Sequence, residues 1–91
     1  MDYATIGLDR KQDTALYLQL CEALAASIES GELSPGERLP SERDLARQLG
    51  VSRTTVINAY DELRARGLAR GQVGRGTFVE ARPEHAEGPF A

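Results

Sequence analysis

Ser41-Glu42-Arg43-Asp44-Leu45-Ala46-Arg47-Gln48-Leu49-Gly50-Val51-Ser52-Arg53-Thr54-Thr55-Val56 holds two helix starts separated by one glycine. Leu39 precedes Pro40, and the residue before a proline avoids helical backbone, so no helix begins before Ser41. Ser41 followed by Asp44 fits the capping pattern in which the hydroxyl satisfies a first-turn amide and the acid reaches back. The spacing predicts a helix over 42–49 with Leu45, Ala46 and Leu49 facing inward. Gly50-Val51 reads as a tight turn. Ser52 is a second cap, opening a helix through about Arg66 with Val56, Ala59, Tyr60 and Leu63 as its apolar stripe. Two short helices joined in this way make a helix-turn-helix.

Upstream, Leu16, Leu20, Leu24 and Ile28 recur every fourth position beside Tyr17, Cys21 and Ala25, which predicts an amphipathic helix over about 14–30. Residues 1–13 form an arm before it. Cys21 lies in the stripe with no histidine partner nearby in sequence, so it reads as a small buried hydrophobe rather than a nucleophile. Leu33 to Glu37 is a turn by its Pro-Gly pair, and Arg38-Leu39-Pro40 is extended. Downstream, Gly67 closes the long helix, and Leu68–Val73 and Thr77–Val79 read as two strands around the tip Gly74-Arg75-Gly76. Residues 80–91 carry no apolar pattern and read as an exposed linker. The expected fold is mainly α with a small β-hairpin, a winged helix-turn-helix over 14–79.

Composition narrows the function. With 91 residues and 41% apolar content the chain supports one core. No run approaches the roughly 18 apolar residues of a membrane span, and the start lacks the basic and apolar regions of a signal peptide, so a cytoplasmic protein with no membrane partner is expected. One cysteine and one histidine, His85 in the tail, offer no metal site. No nucleophile and base stand together, so no enzyme is expected.

The net charge of -3 argues against nucleic acid until its distribution is considered. Residues 41–79 carry seven arginines against four acids, and the acidic excess lies on either side. Arginine binds phosphate and guanine through two hydrogen bonds at once. The long helix has no acid in its first turn, where one would complement the helix dipole; Ser52-Arg53-Thr54-Thr55 stands there instead. That end is open to an external anion. Arg53, Thr54, Thr55 and Asn58 fall on or beside the outer face, and arginine can read guanine as asparagine reads adenine. Gly71-Gln72-Val73-Gly74-Arg75-Gly76 lacks the spacing and following helix of a phosphate loop. As a wing, its glycines permit a tight turn and Arg75 suits a narrow minor groove.

The segments Leu39 to Arg43, Leu49 to Val56 and Gly74-Arg75-Gly76-Thr77-Phe78-Val79, in order and at this spacing, resemble the N-terminal domain of the GntR family of bacterial transcription regulators. The resemblance implies sequence-specific binding of double-stranded operator DNA as a homodimer, with helix 52–66 in the major groove and wing 71–79 in the minor groove. By position, Arg43 and Arg53 resemble the family's recurrent base contacts, Thr54 and Thr55 its base and phosphate contacts on that helix, and Gly74 its wing contact. Ser41, Ser52, Asn58 and Arg75 complete the candidate set. Leu16-Tyr17 with Gln19, Ala59-Tyr60 and Gly71 to Val79 resemble the MocR branch, whose second domain resembles a pyridoxal-phosphate aminotransferase; the HutC branch shares Gly74 to Val79. An effector domain outside this chain is expected, and any pyridoxal phosphate would belong to it. Lys11, the only lysine, offers no Schiff-base site. The alternative is a winged-helix protein-docking module, which the overall acidity suits but the acid-free, arginine-bearing helix start does not require.

Overall fold

The computed structural model describes residues 2–72 and 74–80; Val73, the tail with its linker reading, and His85 lie outside them. The expected winged helix-turn-helix is present. Three helices, α1 (Leu16–Ser30), α2 (Glu42–Leu49) and α3 (Arg53–Ala65), precede an antiparallel hairpin of β1 (Ala69–Gln72) and β2 (Gly76–Val79). Ala69 pairs with Val79, Arg70 with Phe78, Gly71 with Thr77 and Gln72 with Gly76. Among the described residues, no helix is long and apolar enough to cross a membrane.

The caps set the helix limits. Ser41 Oγ accepts from Asp44 N at 3.1 Å, and Ser52 Oγ accepts from Thr55 N at 3.1 Å. Only the serine half of the expected α2 capping box forms; the Asp44 carboxylate lies 3.9 Å from Arg47. Gly50 adopts φ +67, a left-handed turn that side chains with a Cβ resist, and its N–H reaches back to the Ala46 carbonyl. That single residue reverses the chain between α2 and α3.

The apolar stripes meet in one core. Leu20, Leu24 and Ile28 of α1 pack with Val56, Tyr60 and Leu63 of α3, joined by Leu45, Leu33, Leu39 and Val79. Cys21 is buried among them, as the stripe predicts, and burial pushes its thiol above the ordinary value. Leu49 and Leu16 are only half-buried.

Two segments are built into this core in ways their sequence conceals. The extended residues 36–39 run beside β2: Leu39 N donates to Thr77 O at 2.8 Å, Val79 N to Glu37 O at 2.8 Å, and Arg38 bridges Phe78. The two-stranded hairpin thus gains an extended backbone neighbour, bridged at Arg38, along the free edge of β2. Residues before α1 fold back as well, with Tyr3, Ile6 and Leu8 against the core and Arg10 Nη2 donating to Gly50 O at 2.6 Å. The Gln19 side chain accepts from Asp9 N and donates to Asp9 O and Thr14 O.

Tyr60 is fully buried, and its hydroxyl donates to the Pro40 carbonyl at 2.7 Å. Burial first, then neighbouring Tyr3 and Glu42, push its phenol well above the ordinary value, so it stays a donor. Replacing Tyr60 with Phe leaves that carbonyl unpaired and is expected to cost about 1–3 kcal/mol at neutral pH. An unfolded phenol ionises near pH 10 (about 10), below the folded Tyr60, so its contribution is complete below that pH and falls above it. Urea midpoints at pH 7 and pH 11 check both points: Tyr60→Phe should unfold earlier at pH 7 and lose less than the parent on going to pH 11.

Candidate nucleic-acid interface

The pairing of charges defines the surface. Among the described residues, Arg47 pairs with Asp44, Arg64 with Asp61, Arg66 with Glu22 (2.9 Å) and Glu62 (3.1 Å), and Arg70 with Glu80 (4.0 Å). Donating hydrogen bonds to Glu22 and then Glu62 holds the Arg66 guanidinium charged far above any working pH. Arg43, Arg53 and Arg75 have no side-chain hydrogen bond or ion pair among the described residues, and all three are exposed. They stand on three separate elements: near the start of α2, at the first residue of α3, and at the hairpin tip.

The α3 start is prepared for polar contact. No acid occupies its first turn, whereas α2 carries Glu42 and Asp44 there. Ser52 Oγ bonds both Thr55 N and Thr55 Oγ1, the latter at 3.0 Å, so these two hydroxyls organise the helix end. Arg53 and Thr54 remain exposed, while Thr55 is half-buried. Residues three and four apart share a helix face, which places Arg53, half-buried Ile57 and Arg64 along the edge toward the hairpin. A methyl group on Gly71 would meet Arg64 Nη1 at 3.8 Å, and Arg64, Gly71, Gly74, Arg75 and Thr77 line the groove between α3 and the hairpin. Asn58 lies differently. It borders a groove with Tyr17 of α1, Asp61, Glu62 and Ala65, away from the hairpin side.

At the tip Gly74 has φ +75, and Arg75 N donates to Gln72 O at 2.9 Å to close the turn. A side chain with a Cβ would be strained at Gly74 even though nothing stands in its way. Ser41 is exposed at the α2 cap, beside a groove lined by Arg38, Glu42, Gly76 and Thr77. Arg38 was not singled out from the sequence, yet it too is exposed and unpaired among the described residues. Its signal was available: it alternates with buried Leu39 in an extended segment.

Residues 16–79 match the family described as "Bacterial regulatory proteins, gntR family". The chain belongs to the GntR family. It is 46% identical over 79 residues to the "Probable rhizopine catabolism regulatory protein MocR" of Rhizobium meliloti, covering 87% of this chain and 16% of that protein. YtrA from Sulfolobus acidocaldarius, a GntR-family transcription factor, superposes with a TM-score of 0.81 at 34% identity, covering 92% of this chain and 88% of that one. AraR(DBD), solved in complex with operator ORE1, superposes with a TM-score of 0.70 at 34% identity, covering 80% and 89%. The MocR relative agrees with the branch that Leu16-Tyr17 and Ala59-Tyr60 suggested. The chain thus spans about a sixth of that relative's length. Lys11, the only lysine, is exposed in the arm before α1 and lines none of these grooves.

Paired and unpaired arginines should separate in stability. Arg43→Ala and Arg53→Ala break no internal contact and are expected to stay within about 0.5 kcal/mol of the parent. Arg66→Ala releases Glu22, the contact that ties the end of α3 to α1, together with Glu62 on α3, and is expected to lower the melting temperature. Thermal unfolding of the three variants at low salt checks this, and equal losses in all three would show that the free arginines hold the fold.

Proposed function

We infer that this domain binds double-stranded operator DNA sequence-specifically as part of a transcription regulator, with α3 in the major groove and the hairpin tip in the minor groove. The carrying observation is the set of unpaired, exposed arginines on α2, α3 and the tip, in a chain whose other arginines in residues 41–79 all have acid partners. Free guanidinium groups exchange bound water for phosphate or base edges without first breaking an internal pair. The serine-capped, acid-free start of α3 lets that helix approach an anionic surface. AraR(DBD), which shares the fold, is bound to an operator, and this supports the same role here.

Roles follow from position. Arg53 and Thr54, exposed at the front of α3, reach base edges; Arg43 approaches the same groove from α2. Ser41, Ser52 and Thr55 orient the two helix ends and offer hydroxyls to phosphate. Asn58 stands on the outer ridge toward α1 and reads bases only if α3 lies deep in the groove. Gly74 brings backbone close to the sugar edge, and Arg75 enters the narrow groove where negative potential is focused. Two copies acting on symmetric half-sites, about one helical turn apart, complete the reading, with dimerisation in the full-length protein.

Arg43→Ala and Arg53→Ala are each expected to cost about 1–3 kcal/mol on an operator selected from a random pool and little on random duplex. Titrations on both DNAs decide it; equal weakening on the two would reassign the residue to phosphate. Tethering two copies of the domain by a flexible linker is expected to tighten binding to a two-half-site operator by about a hundredfold or more. Equal affinities for tethered and single domains would exclude paired binding.

A further inference from the structure

We propose that Arg38 is a fourth arginine contact to DNA, a phosphate clamp seated between the start of α2 and the wing. The proposal rests on the DNA-binding reading and adds a residue to it. Arg38 belongs to neither the helix-turn-helix nor the hairpin, yet its backbone is fixed by both neighbours. The bridge to Phe78 and the Leu39 N to Thr77 O bond hold it against β2, and buried Leu39 anchors the next position. Its guanidinium lies over Gly76: a Cβ there would meet Arg38 Nε at 3.0 Å, Nη2 at 3.4 Å and Cζ at 3.6 Å. The absent side chain at Gly76 is what gives the guanidinium this resting place.

The carboxylates nearby leave it uncommitted. Glu37, its chain neighbour, accepts from Ser34 N at 3.0 Å. Glu42, across the groove, makes no ion pair with it. An arginine that packs flat on backbone and keeps its donors free has lost part of its rotamer freedom before any ligand arrives. Ser41 and Thr77 line the same groove, so hydroxyl donors flank the cation. A duplex engaged both by the start of α2 and by the wing presents a strand to the groove between them, where Arg38, Ser41 and Thr77 lie. Its phosphates meet Arg38 there. Base edges are beyond reach of a residue held in that gap, so the contact carries affinity rather than sequence.

The 91-residue chain is titrated at several salt concentrations against its selected operator and against random duplex. Arg38→Ala is expected to weaken both by the same factor, roughly tenfold at low salt, and to make the slope of log affinity against log salt shallower by about 1. Arg38→Lys, which keeps the charge, is expected to restore the slope. Unchanged affinity in Arg38→Ala would overturn the clamp, as would a loss on operator alone, or a loss with unaltered salt slope and a lowered melting temperature. Failure of the parent chain to bind either duplex would instead overturn the DNA-binding reading itself.

Discussion

One hydrogen bond ties the working parts together: the buried Tyr60 hydroxyl of α3 to the Pro40 carbonyl, the last residue before the α2 cap. Pro40 has no amide hydrogen, and its carbonyl sits where the extended strand turns into a helix. A phenol reaching it from the middle of α3 sets the distance between the start of α2 and the axis of α3. The same extended segment pairs with β2, so the position of the hairpin is referred to the same point. Arg38, Arg43, Arg53 and Arg75 therefore sit on elements that share one fixed junction. A polar bond in a core costs stability if left unmade, and here it specifies an angle that apolar packing alone would leave loose.

Net charge is a poor guide to this surface because the acids are spent locally. Asp44, Asp61 and Glu62 each lie three or four residues before an arginine on the same helix, and each neutralises it. Glu22 and Glu80 do the same across elements. Single exposed pairs of this kind contribute little to stability, and only Arg66, which holds two carboxylates at once, is expected to matter measurably. Their larger effect is to decide which cations remain available. An overall charge of -3 and a positively charged working face are thus compatible, since the other acids of the first forty residues lie on the arm, α1 and the turn after it, except Glu37 beside Arg38, whose carboxylate accepts from Ser34 N.

The helix limits and the hairpin were legible because their determinants are local. Ser41, Gly50, Ser52 and Gly67 mark their own positions, and α2 occupies the expected 42–49. Candidate residues Arg43, Arg53, Gly74 and Arg75 could be placed from those limits alone. What stayed hidden depends on pairing across the fold. The strand character of residues 36–39 needs β2 as partner, and only the alternation of Arg38 with Leu39 hinted at it. The spacing of Asp44 predicts a reach-back that does not form, and its carboxylate lies toward Arg47, one turn on. Asn58 and Thr54 lie one turn apart on α3, yet Asn58 turns toward Tyr17; a helical pattern ranks exposure without saying which neighbour shares the exposed edge.

The start of α3 shows how function and stability are balanced in so small a domain. An acid in its first turn would complement the helix dipole by about 0.3–1 kcal/mol, and a 91-residue chain with one core has little stability to spare. The chain forgoes that gain. It compensates with a neutral cap, Ser52 accepting from Thr55 N and bonding the Thr55 hydroxyl, which satisfies the helix end without adding negative charge. At α2, where Arg43 stands between two first-turn acids, Glu42 and Asp44, the opposite choice is made. The difference assigns the helices their parts: α2 is stabilised as a support, and α3 is kept electrostatically open at the end that presents Arg53 and Thr54. An aspartate at position 54 would be the cheapest way to stabilise α3 and, by placing a carboxylate beside Arg53, the surest way to close that end to an anionic partner.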